Sequence, residues 1–354
     1  MTLPLVSVVI TTKNEEKNIG LLTDKTLLDK LLSVSDEKEK EILKSCSIFR
    51  YIGFEEEVIG HITFIITNKY ITPISGSNEE KMYLFSKVFK KYYTREIFEK
   101  NGRLFGIRPR PLALSLATEW FETCTSDRLR KIVEAIQSPE NPNSNILTES
   151  LCSQIKYLGD NEKVRSLIGK LTDVSGPFDN AEVVNTELGS RLFRSFVEVN
   201  PNAVADNLYR LFGSMSIEQL KNVQEGRRNL VWTLEKLCFD KNTFAKGAKL
   251  MMSFGAAENE TWGNNSINEF LNLFKIHLPG TQAHLSERLE IIRWGLNKGN
   301  EYIMLSLKAL RSALETQDFT RVLGAETQGT KKLVDNYPTI SEVINYWTEV
   351  LDIL

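Results

Sequence analysis

The feature that most constrains this chain is a succession of apolar stripes at helical spacing, which fills nearly everything after Pro111. Leu129, Ile132, Val133 and Ile136 fall at i, i+3, i+4 and i+7, the period of one buried helix face. The same pattern returns in Leu188, Leu192, Phe193 and Phe196, and in Val204, Leu208, Leu211 and Phe212 after an Asn200-Pro201 start. It recurs in Ile267, Phe270, Leu271, Phe274 and Leu278, in Leu285, Leu289, Ile292 and Leu296, and in Ile303, Leu307, Leu310 and Leu314. A last stripe is Ile340, Val343, Ile344, Trp347 and Leu351, opened by Thr339-x-x-Glu342. A helix with one apolar stripe must bury it on a neighbour. Successive helical hairpins that do so give an α-solenoid or an irregular array. No strict repeat period is visible, so no named repeat class follows.

The 354 residues suffice for two or three domains. At 42% hydrophobic and 25% charged they can bury a core, and the net charge of −2 gives no global pull toward nucleic acid or anionic membrane. No run approaches the roughly 18 apolar residues of a membrane helix, and the N-terminus lacks a basic n-region, so neither a membrane span nor a signal peptide is expected. Cys46, Cys124, Cys152 and Cys238 are scattered without C-x-x-C. Free thiols and a cytoplasmic location are the expectation.

The first 125 residues read differently. Leu5 to Ile10 is a β-branched run suited to a buried strand, followed by a polar loop to Gly20. Little else offers it strand partners, so residues 1–20 are expected to pack poorly or to be foreign to the rest. Leu27, Leu28, Leu31 and Leu32 mark a first helix, and Ser35-Asp36-Glu37 starts another carrying Ile42, Leu43 and Cys46 inward. Residues 60–74 are further strand material, committed to the same domain as the hairpin that follows. Ser77-x-x-Glu80 is a capping box for a helix burying Met82, Phe85, Val88 and Phe89. Two short strands then flank Asn101-Gly102, the dipeptide favoured in a type I′ turn. Helices followed by one hairpin describe a winged-helix domain over residues 21–125, with the helical array over 126–354.

Chemistry-bearing motifs are sparse. His61, His277 and His284 do not have a metal-ligand spacing, and neither G-x-S-x-G nor H-E-x-x-H occurs. Gly324 to Lys331 has the glycine spacing of a phosphate loop, but Thr330 and Lys331 are reversed and no strand precedes it, so a polar connection is expected. Between Lys81 and Arg110, nine basic residues accompany two acidic ones, with seven aromatics interleaved. Three readings stand: a wing that contacts nucleic acid, an aromatic core with lysines solvating its outer face, or Arg95, Arg103, Arg108 and Arg110 contacting a protein partner. The Asn- and Asp-rich stretches at 176–191 and 258–265 are read as turns and helix starts.

Two resemblances follow. Val6-Ser-Val-Val-Ile-Thr-Thr-Lys-Asn-Glu-Glu-Lys-Asn-Ile-Gly20 resembles the opening of family-2 glycosyltransferases. That resemblance implies a nucleotide-sugar loop at Asn14, Glu15 and Glu16, although the D-x-D that holds a divalent cation in that fold does not occur here. Over a far longer span, the chain resembles the region downstream of the nucleotidase core in bacterial STAND-type ATPases. The stretches that carry it include LTDKTLLDKLL, SIFRYIGFEEEV, IRPRPLALSLATEWF, GPFDNAEVVNTELGSRLFRSFVEVNP and AAENETWGNNSINEFLNLFKIHLPGT. This second resemblance implies a winged helix that packs on an ATPase core, followed by a helical sensor arm. Walker motifs are absent from this chain, so ATP and Mg²⁺ would belong to a missing upstream core. The expectation is a mainly α, non-catalytic regulatory module that binds a protein partner or that core. Glycosyl transfer and winged-helix DNA binding are the alternatives.

Overall fold

A computed structural model describes residues 36–259, 263, 265–316, 327–329 and 331–354. The expected strand and loop of residues 1–20, with Asn14, Glu15 and Glu16, and the helix carrying Leu27 to Leu32 lie outside these residues. The chain is mainly helical, with seventeen α-helices among the described residues. It divides into two compact units, one ending at Thr123 and one running from Cys124 to Leu354.

In the first unit, α1 (Glu37–Ser47) starts at Asp36, whose side chain accepts the Lys38 amide at 3.0 Å. A short β1 (Ile52–Gly53) follows, then α2 (Ile59–Thr67), α3 (Asn78–Tyr93), the hairpin β2 (Phe98–Asn101) and β3 (Leu104–Ile107), and α4 (Arg110–Glu122). The sheet order is β1-β3-β2, antiparallel throughout, with Ile52 opposite Phe105 and Asn101 opposite Leu104. Of residues 60–74, expected as strand material, 60–67 are helical: a short stretch rich in isoleucine fits either state, and His61, Ile62, Ile65 and Ile66 bury one face. β1 forms at a glycine because the chain passes too close for a side chain there. A Cβ on Gly53 would lie 2.6 Å from the Val58 carbonyl oxygen and 2.7 Å from His61 Nδ1. The Ser77/Glu80 capping box at α3 is present in both directions, at 3.2 and 2.8 Å.

The hairpin turn differs by one residue from the expected register. Asn101 is the last paired residue and Gly102-Arg103 are the central pair. Only Gly102 has positive φ, at 60°, the pattern of a type II′ turn rather than I′. Phe54, Phe85, Phe89, Phe98 and Phe105 form one aromatic cluster beneath the sheet, with ring centroids 4.7 to 6.0 Å apart.

The second unit is built from helical hairpins. Helices α5 (Ser126–Gln137), α6 (Ser144–Ile155), α7 (Glu162–Thr172) and the short α8 (Ala181–Asn185) lead into α9 (Glu187–Val199) and α10 (Pro201–Phe212). After α11 (Ile217–Lys221) come α12 (Arg227–Phe239), α13 (Phe244–Ala256), α14 (Ser266–Asn272), α15 (Leu285–Leu296) and α16 (Asn300–Ala313). A two-residue-per-strand hairpin, β4 (Thr327–Gln328) and β5 (Lys331–Lys332), precedes α17 (Ile340–Ile353). Helices α6, α9 and α12 pack side by side in one row, and α7, α10, α13 and α16 in another. The core between the rows includes Leu192, Phe193, Phe196, Leu208, Leu234, Met251 and Phe254, each no more than 1% exposed.

Polar side chains stitch each hairpin to the next at a recurring separation. Asn200 Nδ2 donates to the Arg165 carbonyl and buried Asn207 Nδ2 to the Thr172 carbonyl, both across 35 positions. Asn229 Nδ2 donates to Ser190 Oγ across 39, and the Gly226 amide to Asn185 Oδ1 across 41. A loose repeat of this length therefore exists in the contacts while leaving no strict period in the sequence.

Three expected stripes are only partly inward. The stripe from Ile267 to Leu278 breaks when α14 ends at Asn272. In α16, Leu305, Ser306, Ala309, Leu310 and Ala313 are buried while Leu307 is 41% exposed; small residues turn inward because the packed helices come close. In α17 only Tyr346 and Val350 are fully inside, and Ile340, Ile344 and Leu351 are 81%, 55% and 62% exposed. The capping box at Thr339 and Glu342 is present there.

Candidate functional site

Four cations of the basic region are ion-paired. Lys91 pairs with Glu39 at 2.6 Å, Lys100 with Glu55 at 2.5 Å, Arg103 with Glu57 at 2.9 Å, and Arg108 with Glu99. Three of these carboxylates, Glu39 of α1 and Glu55 and Glu57 of the segment between β1 and α2, lie outside the charge run itself. Arg110, the first residue of α4, is buried, at 8% exposed. Arg95 is exposed, its guanidinium 5.9 Å from the Tyr92 ring centre. The structure thus separates the four candidate arginines: one is buried, two are ion-paired, and one lies beside its own helix.

His61 plays a structural part. Buried His61 accepts the Gly53 amide through Nδ1 at 3.1 Å, and burial lowers its pKa. Among the described residues no group of three or more His, Cys, Asp or Glu is arranged to hold a metal ion. The four cysteines are free. The described part of the phosphate-loop stretch is a hairpin turn: Gly329, at φ 61°, donates its amide to Glu198 Oε2 at 2.5 Å. That N–H already serves a carboxylate of the chain. The Asn-rich stretches act as expected at their described residues. Asn180 caps α8, Thr186 caps α9, and Asn265 caps α14.

A larger feature was not found by sequence reasoning. Across α6, α9 and α12 runs a polar cleft of about 650 Å³, a size suited to a small ligand or a short chain segment. Its geometry centres on Arg194 of α9. The Arg194 guanidinium lies 4.2 Å from the centre of the Trp232 ring, and its Nη1 donates to Asn229 Oδ1 at 3.2 Å. Asn229 is itself fixed. Its Nδ2 donates to Ser190 Oγ, whose own proton goes to the Glu187 carbonyl at 3.0 Å. The ring and the amide together restrain the guanidinium.

Charge in the cleft is partly neutralised. Arg191 pairs with Glu187 at 2.7 Å and Lys236 with Glu198 at 2.7 Å. Arg194 and Lys156 have no carboxylate partner among the described residues. Burial by the surrounding helices lowers the Arg194 pKa, and the more distant charges of Glu198 and Glu235 offset this only in part. Cys152 lines the same cleft, and burial pushes its thiol up to about 11. It is a protonated thiol at neutral pH and a poor nucleophile. The arrangement can bind and orient a ligand.

The α12 end of the cleft is anchored from below. Arg227, 1% exposed, bonds Glu258 at 3.2 Å and the carbonyls of Leu220, Phe254 and Ala257 at 3.2, 2.7 and 3.0 Å. This sets the first turn of the helix that carries Asn229 and Trp232.

The sequence matches no protein-family model, no curated protein and no solved structure.

Proposed function

We propose that the chain is a non-catalytic regulatory and protein-interaction module of the kind found beside STAND-type ATPase cores. Its helical array would receive a partner in the cleft of α6, α9 and α12. The observation that carries this reading is Arg194, set over the Trp232 ring, bonded to Asn229 and lacking an ion-paired carboxylate among the described residues, beside a thiol whose pKa burial raises. Such a site recognises; it does not react. The α-β-α-α-β-β order and β1-β3-β2 sheet of the first unit support a winged helix. The row of α6, α9 and α12 over a second row supports a solenoid-like arm. ATP and Mg²⁺ are assigned to a separate core and not to this chain. Calorimetry of the chain with ATP and Mg²⁺ tests the assignment. The reading expects no heat of binding, and saturable micromolar affinity would refute it.

A further inference from the structure

Resting on the interaction-module reading, we propose that the α6–α9–α12 cleft binds an extended peptide through an Asp or Glu side chain of the partner seated on Arg194. Three observations select a carboxylate. Arg194 uses one donor on Asn229 and has no carboxylate partner among the described residues, so the rest of its planar fork is available to a planar, two-oxygen acceptor. Lys156, half-buried on the α6 side, adds a second cation that no described carboxylate neutralises. Trp232 and Asn229 fix the fork before a ligand arrives, which lowers the ordering cost of binding.

The rest of the lining selects a peptide over a polyanion. Glu149, Glu187, Glu198 and Glu225 share the cleft with the cations. A run of phosphates would meet these carboxylates in turn, whereas a peptide can place one acid on Arg194 and amide or basic groups opposite the glutamates. Helices packed side by side lie about 8–10 Å apart, so three of them span roughly 20 Å, the length of about six extended residues.

A positional-scanning library of acetylated, amidated hexapeptides is the probe, read by binding to the whole chain and to variants. The proposal expects Asp or Glu to be selected at one position. For the selected peptide, R194Q should weaken binding by about 10- to 100-fold, the factor for losing hydrogen bonds to a charged group. R194K, which keeps charge without the fork, should lose part of that affinity. R311Q, an exposed arginine on α16, should match the parent. Circular dichroism and the melting temperature of each variant establish that it is folded. Absence of acidic selection at every position would overturn the proposal. Binding of other peptides that is insensitive to R194Q would overturn it while leaving the interaction-module reading in place. Inorganic phosphate displacing the selected peptide at equal concentration would also overturn it, in favour of a small-anion site. ATP binding without peptide binding would sink both readings.

Discussion

Replacing Arg227 with methionine tests how the cleft is held. The substitution keeps most of the side-chain volume and removes the guanidinium that bonds Glu258 and three backbone carbonyls. Both charged side chains are nearly inaccessible, at 1% and 3%. Removing one partner of such a pair leaves a buried charge uncompensated, at a cost of about 3–5 kcal/mol. Glu258 keeps the Ser266 amide at 2.8 Å and the Asn259 amide at 3.1 Å, which places the expectation near the lower end. For a unit of this size each kcal/mol moves the melting temperature by about 2–4 °C, so R227M should lower it by roughly 6–12 °C. Differential scanning calorimetry on R227M, E258Q and the double variant is the assay. The double variant should be more stable than the two single effects added together, because the unpaired charge is removed. A loss below about 1 kcal/mol in R227M, or simple additivity, would refute the view that this pair anchors α12.

Three further outcomes follow from particular contacts. His61 is held neutral by burial and accepts the Gly53 amide. Its folded-state pKa is therefore below the unfolded value, so its contribution is complete above the unfolded value and is lost progressively as pH falls from there through the lower folded pKa. Acidification from neutral pH should lower the melting temperature of the parent more than that of H61Q, and equal slopes would remove His61 as the cause. On α17, V350A should cost about 1–3 kcal/mol in urea unfolding, because Val350 is fully buried, whereas I344A should stay within about 0.5 kcal/mol. Comparable costs would show that the outer stripe is packed. Arg103 and Arg108 are engaged by Glu57 and Glu99, so R103A/R108A should leave the salt dependence of duplex DNA binding unchanged, and a flattened slope would restore the nucleic-acid reading.

Helix existence was legible because the 3.6-residue period reports it directly; Leu129 to Ile136 and Leu188 to Phe196 are buried as their spacing requires. Which face packs was less legible. The α17 stripe from Ile340 to Leu351 has a fine period, yet its neighbours are reached by Tyr346 and Val350, and periodicity does not say whether a partner exists. The hairpin at 98–107 was legible, but its register was not, since Gly102 suits the first central position of one turn type and the second of another. The charge run at 81–110 gave no sign of its neutralisation, because Glu39, Glu55 and Glu57 lie far away in sequence. The cleft escaped for the same reason. Arg194 and Asn229 sit 35 positions apart, as do Asn200 and Arg165. A search for polar residues recurring at 35–41 positions would have pointed to the row they share.

The central claim is that α9 and α12 form the receiving surface of a recognition module. Hydrogen exchange of the whole chain, with and without the hexapeptide chosen by the library, tests it most directly. The account predicts slowed exchange confined to residues 187–198 and 227–236, with a smaller effect at 149–156, and none of it in R194Q. Protection centred instead on 340–354 or on 81–110 would contradict it.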